Sequence, residues 1–325
     1  MHAMSSHMRP MSLSDLLDGI FWVYRKGFFT FLGAVALISL PFAVVQAIFN
    51  FLFYETLPTG SAGLGATINE AAMLFPLLLI LLVGLLQGFI AQPIMFGAVV
   101  WTTAQHMQGN PISIRTAYDY GSSRMFSMIG VTLLMTLLVF AVLVVPMLLV
   151  GCGLFLLGSS FASAMESSGD SSVWAVLLIV LVVGVLFLLV TAVWVFLGMR
   201  FLFTSQAVVL EGTGPIGAFK RSWELTRGSF WRVFGITLLV GLLITLVSVV
   251  VSVGLSGAML MATVATEEGT MAYSGIQTLS VLLNSTVNIL IFPFYGIFFT
   301  LFYYDLRVRK EGYDLEVMLG KSSAQ

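Results

Sequence analysis

The sequence predicts an all-α membrane protein whose six transmembrane helices form three hairpin repeats, each preceded by a short cytoplasmic helix lying at the membrane interface. Three observations predict it. The chain of 325 residues is 59% hydrophobic and only 9% charged, with mean hydropathy +1.03, whereas soluble domains are about 25% charged. Its apolar residues are gathered into runs rather than spread at helical or strand spacing. Its basic residues all fall in alternate connections between those runs, the pattern left when Lys and Arg are retained on the cytoplasmic side.

Six stretches reach the roughly 20 apolar residues that a spanning helix needs: Phe29 to Phe53, Met73 to Ala104, Phe126 to Leu157, Val173 to Phe203, Trp231 to Ala265 and Ile276 to Tyr304. Several exceed the minimum, which allows tilt or extension beyond the bilayer, and Pro93, Pro146 and Pro293 mark expected kinks. A closed β-barrel would show alternating segments of about ten residues instead, and nothing here alternates. The first residues contain Arg9, Asp15, Asp18, Arg25 and Lys26 in place of a compact apolar run ending in small residues, so no cleavable signal is expected. The single cysteine, Cys152, falls inside the third span and reads as a small apolar packing residue.

Orientation follows from the bases. Arg9, Arg25 and Lys26 precede the first span, and Arg115 and Arg124 separate the second from the third. Arg200, Lys220, Arg221, Arg227 and Arg232 surround the connection from the fourth to the fifth, while Arg307, Arg309, Lys310 and Lys321 follow the sixth; these are all 14. The opposite connections hold Glu55, Glu70, Glu166, Asp170, Glu267 and Glu268 and no base. Both termini are therefore expected in the cytoplasm, with the chain a multi-pass protein of the plasma membrane.

Laying the basic connections over one another gives the repeat. Pro10-Met11-Ser12-Leu13, Pro111-Ile112-Ser113-Ile114 and Pro215-Ile216-Gly217-Ala218 recur about 100 residues apart. The later two units also share Tyr118-Asp119 with Trp223-Glu224, and Gly130 to Leu134 with Gly235 to Leu239. The units run 10–105, 111–204 and 215–306 within one polytopic domain over 1–325, with 307–325 as a cytoplasmic tail. Each unit is read as a lead-in helix followed by a hairpin. Proline suits a first helical position, and Ser12 with Asp15 forms a capping pattern. Units of two spans share one orientation, so they would be related by rotation about the membrane normal. Gly97, Gly198 and Gly296 occupy corresponding places where close helix approach is expected.

Chemistry-bearing patterns are sparse. His2, His7 and His106 with one cysteine give no zinc spacing, and no phosphate loop or nucleophile elbow occurs. No Asp or Glu lies within the spans, which argues against coupling to protons or sodium through a buried carboxylate. Gln87, Gln92, Thr191, Thr245, Ser248, Asn284, Ser285 and Asn288 are polar at depth and read as interhelical hydrogen-bonding groups. In the third lead-in helix Ile216, Phe219, Trp223 and Phe230 fall on one face and Lys220, Arg221, Glu224 and Arg227 on another, an arrangement suited to the head-group layer. Arg200, in the apolar pattern from Phe196 to Phe203, can snorkel, bind a lipid phosphate, or pair with Glu224 or Asp305. Asp305 is the preferred partner, because Tyr303 and Tyr304 would anchor it at the depth of Arg200.

Arg200-Phe201, Ala207 to Gly212, Ala218 to Leu225 and the ending Tyr303 to Glu316 resemble the bacterial and archaeal membrane domain that is sometimes fused to glycerophosphodiester phosphodiesterases, and its stand-alone relatives. The resemblance implies a multi-span module of poorly defined activity. It does not imply phosphodiesterase activity, because six spans leave no room for a catalytic barrel of about 250 residues. The expected function is non-enzymatic: binding of lipid, anionic lipid in particular, or of a partner protein or second copy, at the cytoplasmic face. No cofactor and no nucleic acid are implied. The contact residues expected there are Arg200, Lys220, Arg221, Trp223, Glu224, Arg227, Arg232, Tyr304, Asp305, Arg307 and Arg309. The competing expectation is a pathway for a lipid or uncharged solute between the hairpins, recognisable as a polar-lined opening.

Overall fold

The structure, a computed structural model, describes residues 10–56, 70–110, 112–148, 151, 169–266 and 270–312. Cys152, Pro111, the tail after 312 and most of the two longer acidic connections lie outside the described residues. In chain order the elements are α1 (Leu13–Lys26), α2 (Phe28–Thr56), α3 (Glu70–Leu86), a π-helical segment (Gln87–Ala91), α4 (Gln92–Gln108), α5 (Ile114–Ser123) and α6 (Met125–Val139). A second π segment (Phe140–Val144) follows, then α7 (Gly169–Arg200), α8 (Thr204–Glu211), α9 (Pro215–Thr226), α10 (Phe230–Val264) and α11 (Met271–Glu311). No strand occurs among the described residues.

Six of these helical stretches are long and apolar enough to cross a membrane: Phe28–Leu52, Leu77–Gln108, Met125–Leu148, Val180–Glu211, Phe230–Val264 and Met271–Glu311. The protein is a multi-pass membrane protein. The last span continues to Glu311 rather than stopping near Tyr304. Its final turns are polar but self-supporting: Arg309 Nε donates to Asp305 Oδ1 at 2.9 Å and Arg307 Nε to Glu311 Oε2 at 3.1 Å, both i,i+4 pairs. It ends where Gly312 takes the left-handed conformation at φ +63°, which glycine adopts without strain.

Short helices precede the first, third and fifth spans. Ser12 caps α1 and forms a reciprocal capping box with Asp15. Ser113 does the same for α5 with Thr116. The third lead-in helix departs from this: Pro215 itself is the first helical residue after Gly214, whereas Pro10 stands two residues before its cap. On α1 the buried residues Leu16, Gly19, Ile20 and Val23 recur at helical spacing, and Tyr24 locks that face to α11 by stacking on Phe294 at 4.1 Å and donating to the Leu290 carbonyl at 3.0 Å.

The spans contribute unequally to the core. In the sixth, 44% of the most apolar window is buried by protein, in the fourth 0%, so α11 is the post around which the bundle is built. One buried cluster joins α1, α2, α4, α10 and α11 through Leu16, Phe31, Val99, Val240, Phe298 and Phe302. A second gathers Val100, Met128, Val131, Val208 and Ala218.

Glycine explains two close approaches. A Cβ on Gly296 would lie 2.4 Å from Val99 Cγ1, and one on Gly121 would lie 2.8 Å from the Ile94 carbonyl oxygen. Gly97 is in ordinary contact range of Gly121, but nothing lies within 4 Å of a Cβ at Gly198. The expectation that Gly198 permits close packing is therefore corrected; the fourth span is too peripheral there to meet a neighbour.

Candidate functional site: a charged clasp and an open cationic patch

The basic connections meet at one end of the bundle. Hydrogen bonds place them there: Met11 to Asp305, Arg232 to Asp305, Tyr120 to the Val209 carbonyl and Arg124 to the Gly212 carbonyl. Within this end the expected contact residues divide into three groups.

The first is a clasp around Asp305, which is 0% exposed. Its Oδ1 accepts from the Met11 backbone N–H at 2.7 Å and from Arg309 Nε at 2.9 Å, and its Oδ2 accepts from Arg232 Nη2 at 2.9 Å. The same two arginines donate to the Met11 carbonyl, at 2.9 Å and 2.8 Å. One carboxylate and one peptide unit thus tie the segment before α1 to the start of α10 and the end of α11. This corrects the expected Arg200–Asp305 pair. Arg309, one turn along the same helix, and Arg232 fill the carboxylate, and a buried charge is retained only when its lone pairs are occupied in this way.

The second group is centred on Arg221. Its Nε and Nη2 donate to Glu211 Oε2 and Oε1, both at 2.8 Å, and Nη2 also donates to Glu311 Oε2 at 2.8 Å. Arg307 lies 3.5 Å from Glu211 and 3.1 Å from Glu311, and the wholly buried Tyr303 donates its hydroxyl to Glu211 Oε1 at 2.5 Å. The hydrogen bonds that Arg221 donates to Glu311 and Glu211 push its guanidinium further above its ordinary range against the opposing effect of burial. Such forked arginine–carboxylate bonding is directional and fixes geometry. Tyr304 packs edge-on to Tyr303 at 6.3 Å.

The third group is open. The helix of the fourth span breaks after Arg200, and Ser222 of α9 holds the break: its hydroxyl donates to the Arg200 carbonyl at 2.8 Å and accepts from the Phe203 N–H at 3.1 Å. The Arg200 guanidinium then projects between aromatic rings, 5.1 Å from the Phe196 centroid and 4.8 Å from that of Trp223. Its Nε and Nη1 are buried without a hydrogen-bond partner among the described residues. Lys310 Nζ donates to the Glu224 carbonyl at 3.1 Å and to that of Arg227, capping the end of α9, where cations are favoured by the helix dipole. Arg200, Arg227 and Lys310 therefore cluster, and none has a carboxylate within 4 Å among the described residues. Lys220 and Glu224 are exposed on the neighbouring face of α9. That helix does not turn its aromatic face inward: Ala218, Ser222, Leu225 and Thr226 are buried, and Ile216 is 80% exposed.

Glu211, Tyr303, Lys310 and Glu311 were not among the expected contact residues. For Glu311 and Lys310 the i,i+4 spacing to Arg307 and the last-turn position were the available signals; for Glu211 and Tyr303 no local pattern exists. No three His, Cys, Asp or Glu side chains come together to hold a metal ion among the described residues.

A protein-family profile described as a domain of unknown function, DUF7847, matches residues 27–306. The chain belongs to this family. The match takes in the first five spans and the sixth as far as Leu306, the Arg221 cluster except Arg307 and Glu311, and Asp305 with Arg232, while the α1 helix and Met11 precede it. No curated protein and no solved structure matches the chain.

Proposed function

We propose that the DUF7847 chain is a non-enzymatic membrane module that binds anionic lipid headgroups at the basic end of its bundle, through Arg200, Arg227, Lys310 and Trp223. The observation that carries this is the Arg200 guanidinium: it is held between two aromatic rings and given no acceptor by the described residues, while Arg221, Arg232, Arg307 and Arg309 nearby are engaged by carboxylates. Guanidinium is weakly hydrated and planar, and a phosphate offers it the paired acceptors that a carboxylate would. Trp223, 37% exposed, is the wall that has to turn for a phosphate to reach the buried edge. Each base near an anionic leaflet adds about 1 kcal/mol of attraction.

In this reading the basic end is cytoplasmic, the lead-in helices lie in the head-group layer, and helix plus hairpin is the repeating unit. The alternation of short helices with pairs of spans supports that repeat. The likeness to the membrane domain that accompanies glycerophosphodiester phosphodiesterases is part of the same proposal, and concerns the module rather than any hydrolytic activity. Native mass spectrometry with phosphatidylglycerol and phosphatidylcholine tests it. Arg200→Gln should abolish the preference for the anionic lipid without lowering the melting temperature, and an undiminished preference would refute the assignment.

A further inference from the structure

The first, second and sixth spans enclose a cleft of about 240 Å³ into which six polar side chains converge: Ser39, Gln46, Gln87, Gln92, Ser285 and Asn288. Its depth follows from helix rise. Ser39 and Gln46 stand about 16 and 27 Å along α2 from Phe28 at 1.5 Å per residue, within the roughly 30 Å hydrocarbon thickness.

Gln46 Nε2 donates to Gln87 Oε1 at 2.6 Å, the Ser39 and Ser285 hydroxyls donate to carbonyls of their own helices at 2.8 Å, and Asn288 Nδ2 donates to the Asn284 carbonyl at 3.0 Å. That leaves the side-chain carbonyl oxygens of Gln46 and Asn288, the side-chain N–H groups of Gln87 and the whole Gln92 side-chain amide without a partner among the described residues. These atoms are not sealed away; Gln92 and Asn288 are exposed and Gln46 and Gln87 half-buried. Acyl chains cannot satisfy them. Both donors and acceptors therefore await a polar occupant at bilayer depth.

The π segment is what brings two of the amides together. In an α-helix, residues five apart point about 140° away from each other. Here the Gln92 N–H donates to the Gln87 carbonyl, so the wider turn stacks the two residues on one face, and such turns recur at functional sites. Its placement also suits Pro93, which has no N–H to continue the ladder. Among the described residues no Asp, Glu, Lys, Arg or His lines the cleft. An ion would find no counter-charge there, whereas a neutral molecule with both donors and acceptors matches the amides. The space admits about eight waters at roughly 30 Å³ each.

We propose that this cleft is a binding site for a small neutral hydrogen-bonding solute, a polyol or an amide, held within the membrane between the first, second and sixth spans. It is independent of the headgroup site, which lies at the basic end of the bundle. Glycerol and urea serve as probes on the full-length chain in liposomes, with Cys152→Ser as background. A cysteine replacing Ser39 should react with a small neutral methanethiosulfonate about tenfold faster than one replacing Leu189, which faces lipid, because only a solvated thiol ionises readily. Glycerol or urea should slow the Ser39→Cys reaction saturably and leave Ser123→Cys, outside the cleft, unchanged. Gln87→Leu combined with Gln92→Leu should remove that protection while melting is retained. A Ser39→Cys rate as low as that of Leu189→Cys would overturn the proposal, as would a fast rate that neither probe slows, or disulfide cross-linking between copies through Gln92→Cys.

Discussion

Asp305 offers the sharpest stability test, since its carboxylate is wholly buried and holds three separate elements together. Asp305→Ala removes the acceptor for two arginines and the Met11 N–H at once. Breaking a buried ion pair by deleting one partner costs about 3–5 kcal/mol. Because both arginine side chains are 34% exposed and regain water, about 3 kcal/mol is the appropriate figure. Arg309→Ala should be milder, about 1.5–3 kcal/mol, the range for one hydrogen-bonded charge, since Arg232 and Met11 still occupy the carboxylate. Equilibrium unfolding in mixed micelles measures each variant, and the double-mutant cycle of Asp305 with Arg309 should show a coupling of at least about 1 kcal/mol. The cycle of Asp305 with Arg200 should instead be additive to within about 0.5 kcal/mol. A loss below about 1 kcal/mol for Asp305→Ala, or coupling between Asp305 and Arg200, would refute the clasp; hydrogen bonds to charged groups are not that weak.

Four further substitutions probe the same packing. Gly121→Ala forces a methyl against the Ile94 backbone and should lower stability by about 1–3 kcal/mol, while Gly198→Ala, with open space around it, should leave melting unchanged or slightly raised. Gln206 is 0% exposed and neither end of its amide has a hydrogen-bond partner among the described residues; Gln206→Met should stabilise by about 1–3 kcal/mol, the penalty for an unsatisfied buried group, and a loss on thermal unfolding would mean that a bound water serves the amide. Arg221→Lys keeps the charge but loses the fork that spans Glu211 and Glu311; it should destabilise the protein measurably in thermal unfolding without altering the lipid preference read by mass spectrometry.

What the sequence shows of this protein is what run length and local spacing encode. The spans are legible because apolar runs need no partner to be recognised, and the Ser12–Asp15 cap is legible because both halves lie within one turn. Pairing between distant charges is not encoded in this way. Asp305 and Arg200 share a plausible depth, yet helix rotation delivers Asp305 to Arg232, 73 residues away, and its other partner is simply one turn along. Gly198 and Gly296 are the same letter in similar apolar surroundings; only the neighbour that arrives in three dimensions separates a required glycine from an incidental one. The convergence of Gln87 and Gln92 escapes any 3.6-residue pattern, because it depends on a π turn between them.

The lipid-headgroup account is tested most directly by an electron cryomicroscopy structure of the full-length chain in nanodiscs containing phosphatidylglycerol. The account predicts phosphate density within hydrogen-bond distance of the Arg200 guanidinium, with Trp223 turned to admit it and Lys310 still capping α9. A carboxylate of the chain seated on Arg200 instead, or an Arg200 edge that stays closed beneath Trp223 with the lipid bound elsewhere, would contradict it.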